Sequence, residues 1–192
     1  EPATPPNAAE RAEDLHTLSQ GLQYCAAFGF TSIHNMDGNF YQLALLRSLE
    51  EQGKLICRTE VPYHLTPEKP VSALADAVKM RAEYASDKLR SGRVKLFMDG
   101  VIDSGTAFTL APFSDGSTCE ALHSAERFND ICIAADGHGL QISVHAIGDA
   151  AVRRTLDGYE AAQKANGRRD SRHRIEHIEL LNPDDVPRFA QL

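Results

Sequence analysis

Segments with the pattern of a β-strand alternate with segments of helical periodicity five times along this chain, and no hairpin turn joins neighbouring strands. The strand-like segments lie at residues 30–34, 55–61, 93–99, 141–145 and 172–180. Each is followed or preceded by a run with apolar residues at helical spacing. Strands that are joined through helices are parallel and connected by right-handed crossovers. The alternation therefore predicts an α/β fold with a parallel sheet.

The helical periodicity also suggests where the folded domain begins. It starts at about Arg11 and ends at Gly29 in the first helix, so the Pro- and Ala-rich residues 1–10 are predicted to be a connector, and residues 11–192 one barrel segment. The last helix is predicted to follow Asn182, because Asn is a good N-cap and Pro is favoured at the first helical position. The apolar positions that mark the helices between these two are Leu45, Leu46, Leu49, Ala73, Ala77, Met80, Tyr84, Phe128, Ile131, Cys132, Ala135, Val152, Leu156 and Tyr159.

Composition excludes some classes of partner. The net charge is −7 and no basic run is present, which argues against a nucleic-acid partner. No apolar segment has membrane-spanning length and no signal peptide is recognisable, so we expect no membrane partner and a cytoplasmic protein. The four cysteines are scattered without a Cys-x-x-Cys pair, which favours reduced thiols over a zinc knuckle or a disulfide framework.

The strand at residues 141–145 has an unusual polar face. Ile142 and Val144 share one side, whereas Gln141, Ser143 and His145 share the other. An amide, a hydroxyl and an imidazole are expected on the inner face of a (β/α) barrel, whose strand ends carry functional residues. A doubly wound open sheet remains the alternative, but no glycine-rich dinucleotide or phosphate loop follows a strand. The sequence thus favours a TIM (β/α)8 barrel. The barrel is predicted to be partial, because a whole one needs about 250 residues.

Three strands place a metal-capable side chain near their carboxyl ends. Alternation directs Lys95 and Asp99 inward on one strand, and the next two strands carry His145 and His177. An inward lysine costs free energy unless it is paired, deprotonated or modified. Imidazole is the commonest metal ligand, and a neutral lysine can take up carbon dioxide as a carbamate that bridges two cations. Lys95, His145 and His177 are therefore the predicted metal ligands.

Four short motifs resemble blocks of a known family in their order along the chain. They are Gly29-Phe-Thr-Ser-Ile-His34, Val94-Lys-Leu-Phe-Met-Asp-Gly100, His145-Ala-Ile-Gly-Asp149 and Arg174-Ile-Glu-His177. Together they resemble the amidohydrolase superfamily, and the nearest branch is amidohydrolase family 3, metal-dependent hydrolases similar to N-substituted formamide deformylase. The matches run through nearly the whole chain.

This resemblance implies a barrel with one or two divalent metal ions, usually zinc, that hydrolyses amide-like C–N bonds of small molecules rather than peptide bonds. It assigns Lys95, as a carboxylated lysine, and His145 and His177 to the metal. The family's His-x-His pair on the first strand and its proton-relay aspartate on the eighth have no counterpart here. The resemblance thus implies an internal fragment, roughly strands two to six and incomplete at both ends, that is inactive alone and whose catalytic residue is unknown. Because three ligands of a larger set bind a metal weakly, we expect low metal occupancy in this chain. Residues 100–124 would cover the mouth of the barrel and contribute to substrate choice.

Other polar residues near the strand ends are candidates for supporting roles. Asp99, Asp149 and His34 are predicted to lie in the pocket or behind the ligands, although Asp149 also has the position of a helix N-cap and His34 that of an ordinary polar strand end. Lys95 has the alternative of a structural lysine paired with Asp99. Glu176 is expected to point away from His177 and to pair with an arginine on the barrel exterior.

Two alternatives for the whole chain remain open. His145 and His177 are also compatible with core histidines held by hydrogen bonds, in a non-catalytic barrel or scaffold without metal. A phosphate-binding barrel enzyme is disfavoured because no glycine-rich turn occurs late in the chain.

A five-strand segment of a barrel has two open sheet edges, so we expect a homo-oligomer.

Overall fold

A computed structural model describes residues 4–192. The chain divides into two compact units: the first contains residues 4–64 and 76–93, and the second contains residues 65–75 and 94–192. Strand and helix alternate in both units, as the sequence predicts. Within residues 4–192, no helix is long and apolar enough to cross a membrane.

The first unit is a parallel three-stranded sheet with helices. Its sheet has the order β1-β2-β4, and Ser32, Ile33 and His34 of β1 lie opposite Arg58, Thr59 and Glu60 of β2. The core lies between this sheet and the helices, because Leu43, Leu46 and Leu49 of α2 are buried. The elements in this part of the chain are α1 (Ala8–Ala27), β1 (Ser32–His34), α2 (Phe40–Glu51), β2 (Arg58–Glu60), β3 (Tyr63–His64), α3 (Leu74–Glu83) and β4 (Leu89–Arg90).

Helix α1 begins earlier than the periodicity indicates. The Asn7 side chain accepts hydrogen bonds from the N–H groups of Ala9 and Glu10, and the Glu10 side chain accepts one from the Asn7 N–H. This capping box starts the helix at Ala8, so residues 8–10 of the predicted connector are helical. Residues 1–3 of that connector lie outside the described residues.

The second unit contains the strands that carry the predicted metal ligands. Its sheet places β6 between β5 and β7, and β6 and β7 are parallel. Helices α4 and α5 pack so closely that a Cβ at Gly158 of α5 would overlap the Phe128 ring of α4. The remaining elements are β5 (Arg93–Phe97), α4 (Ala125–Gly137), β6 (Gln141–Ala146), α5 (Asp149–Asn166), β7 (Arg174–His177) and α6 (Arg188–Gln191).

Several element bounds differ from the prediction for local reasons. The last strand ends at His177 rather than near residue 180, because His177 and Ile178 adopt positive φ angles of 77° and 52°. Asn182 caps the following turn as predicted, but that turn is a 3-10 helix from Pro183 to Asp185. The helix proper, α6, is only four residues long. The two-residue strands β3 and β4 were not predicted at all.

Candidate metal centre

Lys95 is buried in the middle of β5. Its side chain is 2% exposed, and both neighbours in the strand, Val94 and Leu96, are buried too. The Lys95 Nζ lies 3.5 Å from the centre of the Phe97 ring and donates a hydrogen bond of 3.0 Å to the Leu96 carbonyl. Lys95 and Phe97 therefore share a face, as the alternation predicts. A buried ammonium costs free energy, so this is an uncommon position for a structural lysine.

His145 on β6 is buried and has one nitrogen engaged by the protein. Its side chain is 9% exposed, and its Nε2 lies 2.9 Å from the carbonyl oxygen of Gly100. Because a carbonyl only accepts, Nε2 carries the proton and Nδ1 carries the lone pair. Burial lowers the pKa of His145, with smaller contributions in the same direction from His177 and Lys95; the hydrogen bond to Gly100 and the charge of Asp99 act in the opposite direction. His145 is thus held neutral, the state in which imidazole binds metals.

His177 is the last residue of β7 and lies against His145. The two ring centres are 4.6 Å apart, with the rings edge to face. In the strand register His145 lies opposite Glu176, and His177 lies opposite Ala146. Alternation alone would place His177 on the other face, but its left-handed backbone redirects the side chain toward His145. The exposed His177 ring completes the contact that the motif predicts.

Of the three predicted ligands, His145 contacts His177 directly and is linked to Lys95 through the Phe97 ring. The Phe97 ring lies 4.9 Å from the His145 ring and contacts Lys95. Among residues 4–192, no three His, Cys, Asp or Glu side chains are grouped so that they could hold a metal ion. A metal site here would therefore need the lysine nitrogen in addition to the two imidazoles. Metal binding by Lys95, His145 and His177 stays a prediction.

Asp99 connects the end of β5 to the turn after β6. Its fully buried carboxylate accepts backbone hydrogen bonds from Ile147 at 3.0 Å, Gly148 at 2.8 Å and Phe108 at 2.9 Å. One of its oxygens lies 3.7 Å from Nε2 of His145. Asp99 thus fixes the strand end that follows Lys95 against the turn that follows His145. The sequence singled out this residue, but it could not identify three amide donors.

The loop at residues 100–124 is anchored on the beginning of α5. The Asp149 carboxylate accepts a hydrogen bond of 2.8 Å from the Leu110 N–H, and the Phe108 carbonyl accepts one of 3.2 Å from the Ala151 N–H. A Cβ on Gly148 would overlap the Phe108 carbonyl oxygen. The prediction of Asp149 as N-cap is wrong: Gly148 is the cap, and Asp149 is the first helical residue. Its carboxylate serves the loop as well as the helix.

His34 lies at the carboxyl end of β1, in the first unit. Its Nδ1 is 3.2 Å from both terminal nitrogens of Arg93, and Arg93 forms an ion pair of 2.9 Å with Glu60. Since a guanidinium only donates, Nδ1 of His34 accepts and the ring is neutral in this arrangement. These contacts lie within the first unit. A pocket role for His34 stays a prediction.

Glu176 pairs with an arginine as predicted, but not on an exterior face. It forms an ion pair of 2.8 Å with Arg174 and accepts a hydrogen bond of 2.5 Å from the hydroxyl of Ser143. Ser143 is fully buried and shares its face of β6 with His145. The outward placement of Glu176 is therefore wrong. It followed from assuming that His177 obeys strict alternation, which its positive φ breaks.

Comparisons with known proteins agree on one family. A sequence model described as the amidohydrolase family matches residues 2–192. "Protein LONG AFTER FAR-RED 3" of Arabidopsis thaliana is 39% identical over 145 residues, which are 74% of this chain and 24% of that protein. "Exoenzymes regulatory protein AepA" of Pectobacterium carotovorum subsp. carotovorum is 31% identical over 97% of this chain and 40% of its own length. "N-substituted formamide deformylase" of Arthrobacter pascens is 25% identical over 62% of this chain and 22% of its own length.

A solved structure supports the fold. The crystal structure of an uncharacterized metal-dependent hydrolase from Pyrococcus horikoshii superposes with a TM-score of 0.77 at 27% identity, over 94% of this chain and 35% of that one. The chain therefore spans between 22% and 40% of the length of each relative named above. The prediction of an α/β fold with parallel strands is confirmed, and the extent of the match fits a partial barrel.

Proposed function

This chain belongs to the amidohydrolase family, and on that premise we propose that it forms part of a metal-dependent hydrolase of amide-like C–N bonds in small molecules, not of peptide bonds. The name of the deformylase relative supports the bond type. The observation that carries the proposal is the contact between His145 and His177, with ring centres 4.6 Å apart, beside a lysine that is 2% exposed.

Lys95, His145 and His177 would hold the divalent metal, and zinc is the proposed ion because imidazole and carboxylate-type ligands suit it. When bound, such an ion supplies a water molecule of lowered pKa and polarises the substrate carbonyl. The protein's own contribution is to prepare the ligands. Burial keeps His145 neutral, and the carbonyl of Gly100 fixes its orientation and leaves Nδ1 for the ion.

We further propose that Lys95 is carboxylated in the intact enzyme. The uncharged amine would attack carbon dioxide and lose a proton, forming a C–N bond and an anionic carbamate. Its burial supports the proposal, since an unmodified ammonium at this depth costs free energy. A carbamate would instead offer oxygen ligands to one or two cations. The nearby imidazoles of His145 and His177 would share those cations.

The reaction itself belongs to the longer protein in this proposal. The chain spans 35% of the matching hydrolase structure, so we propose that the proton-relay residue and further ligands come from outside it and that the fragment alone is inactive. The anchored loop at residues 100–124 would contribute to substrate choice. We place the protein in the cytoplasm, because Cys25, Cys57, Cys119 and Cys132 are all free thiols.

Calorimetric titration of this chain with Zn²⁺ tests the proposal. We expect saturable binding, at least tenfold weaker in Lys95→Ala and in His145→Ala, because each loses one of three ligands. His16→Ala is the matched control, since His16 is an exposed imidazole on α1 in the first unit. Equal binding by all four proteins would show that Zn²⁺ binds elsewhere and would overturn the proposed ligand set.

The second candidate function is a non-catalytic barrel that acts in regulation. The specific observation in its favour is that a relative covering 97% of this chain is named a regulatory protein. Activity assays of the longer protein with N-substituted formamides separate the two candidates. Zinc-dependent hydrolysis that is lost in Lys95→Ala supports the enzyme, whereas a protein that neither binds zinc nor hydrolyses any amide tested supports the regulatory candidate.

A further inference from the structure

The sheet of the first unit has one polar face. On that face, Ser32, Arg58 and Lys88 lie in one row across the three strands, because Ser32 pairs with Arg58 and the next residues, Thr59 and Leu89, pair with each other. A second row contains His34, Glu60 and Arg90. Both rows line a cavity of about 230 Å³. We call this surface the cationic face.

The three long cations of the cationic face all contact neutral groups. Arg58 donates to the hydroxyl of Ser32 at 3.0 Å, Lys88 to the carbonyl of Leu55 at 2.9 Å, and Arg90 to the carbonyl of Ser86 at 3.2 Å. In the part of the chain that the structure describes, none of the three has a carboxylate within 4.0 Å. Their positive charges are therefore uncompensated by the protein.

Arg58 and Lys88 occupy neighbouring positions on adjacent strands. The N–H of Thr59 bonds to the Lys88 carbonyl at 2.7 Å, which extends the β2–β4 ladder to this row. Like charges at neighbouring positions on paired strands are destabilising. An anion between or above the two cations would relieve this repulsion.

The nearby carboxylates do not supply that anion. Glu60 lines the cavity but is committed to the buried Arg93 at 2.9 Å. Asp87, the other acid of the lining, is exposed and forms no ion pair among residues 4–192. With Arg58, Lys88 and Arg90 against Asp87, the face has an excess of positive charge in a chain whose net charge is −7.

We propose that the cationic face binds a small oxyanion with two negative charges. Arg58 would contribute its guanidinium and Lys88 its ammonium, and Arg90 would contribute a third positive charge from the second row. The hydroxyl of Ser32, which accepts a hydrogen bond from Arg58, would donate its own proton to the same anion. A phosphate and a dicarboxylate share this chemistry. The site rests on contacts within the first unit and does not depend on metal binding.

Amide NMR titrations of the full chain at slightly alkaline pH and constant ionic strength test this inference. Inorganic phosphate and succinate are the two dianion probes, and acetate is the monovalent comparison. We expect saturable shifts at residues 32–34, 58–60 and 88–90 with at least one dianion, with acetate about tenfold weaker because it can meet only one cation well. Whichever dianion saturates first identifies the source of the oxyanion.

Matched variants separate a site from general charge attraction. Arg58→Gln and Lys88→Gln should each weaken the dianion about tenfold or more, since each removes a charge-assisted hydrogen bond. Arg168→Gln and Lys54→Gln remove the same charges at exposed positions outside the cavity and should leave the affinity within about twofold. Equal weakening in both sets, or no saturable shift with either dianion, overturns the proposal. Amide spectra of all four variants check that each is folded.

Discussion

Asp99 is a single residue whose buried carboxylate organises the candidate site through backbone hydrogen bonds. Its oxygens bind amides from two segments that are far apart in the chain, namely Phe108 in the long loop and Ile147 and Gly148 after β6. Replacing a buried acceptor of several N–H groups costs much stability, because each donor would then be buried without a partner. Asp99 is therefore a positioning residue for His145 and for the loop.

Asp99→Asn should destabilise the chain by about 1–3 kcal/mol, because the amide turns one acceptor into a donor that faces backbone N–H groups. Urea denaturation measures this change. Amide exchange of Ile147 and Gly148 should accelerate in the same variant. Asp115→Asn is the control, because Asp115 is exposed and bonds only locally to Ser117; it should change stability by less than about 0.5 kcal/mol. Similar losses in both variants would contradict the assigned role.

His173 is a second buried residue with a defined protonation state. Its Nδ1 accepts the N–H of Ile142 at 3.1 Å, and its Nε2 lies 3.2 Å from Asp136. Its pKa is lowered to about 4, chiefly by burial and to a smaller extent by the charge of Arg169, although Asp136 acts in the opposite direction. The folded chain therefore keeps His173 neutral under conditions in which the unfolded chain would protonate it.

This shift predicts a pH dependence of stability. Because the folded pKa of His173, about 4, lies below the ordinary 6.5, the unfolded state binds more protons between these values. The free energy of unfolding should be fully retained above pH 6.5 and fall by up to about 1.4 kcal/mol per pH unit as the pH drops toward 4. Urea denaturation at a series of pH values measures how the free energy of unfolding changes with pH. His173→Gln should lower the number of protons taken up on unfolding by about one, and so reduce this slope. An unchanged slope in that variant would contradict the assignment.

At the scale of elements, the sequence predicts those with strong periodicity and misses those that depend on contacts. Helix α5 and strand β6 follow from their apolar spacing. No sequence pattern predicts strand β4, because Leu89 is a single apolar residue between Lys88 and Arg90. The direction of the His177 side chain could not be predicted either. Its positive φ at the strand end breaks the two-residue alternation from which side chains are assigned to a face. The motif nevertheless identified His177, since it depends on residue type rather than direction.

The turn from β6 to α5 offers a test at this scale. Gly148→Ala should destabilise the chain by about 2 kcal/mol or more, because its Cβ would displace the Phe108 carbonyl and the loop anchored there. The backbone of Gly148 is in the ordinary extended region, so the cost is steric. Gly21→Ala is the matched control: nothing lies near its Cβ position in the middle of α1, so it should stabilise by up to about 1 kcal/mol. The same sign for both substitutions in urea denaturation would contradict the loop anchor.

For the whole molecule, the fold class was predictable from the sequence, and the division into two compact units was not. Five alternations of strand and helix define a parallel α/β protein, whereas the division at residues 64–65, 75–76 and 93–94 depends on which contacts are dense. Of the candidate site, the identities of Lys95, His145 and His177 came from strand position and motif. The ring contact between His145 and His177 and the anchoring by Asp99 depend on tertiary contacts that no sequence pattern shows.

Open sheet edges predict self-association. Strands β1 and β7 each have one neighbour in their sheets, and all of β1 is exposed or partly exposed. Unpaired strand edges favour pairing with a second copy. We therefore expect size-exclusion chromatography with light scattering to give a mass of at least twice 21.1 kDa. A concentration-independent mass of one chain would contradict this expectation.

We propose that Lys95, His145 and His177, from three successive strands of the second unit, share one metal site. A crystal of this chain grown with Zn²⁺ and measured at the zinc absorption edge shows whether they do. We expect an anomalous peak within about 2.0–2.1 Å of a nitrogen of both His145 and His177, next to the Lys95 side chain. Zinc at other residues only, with His145 and His177 free of it, would rule out this site.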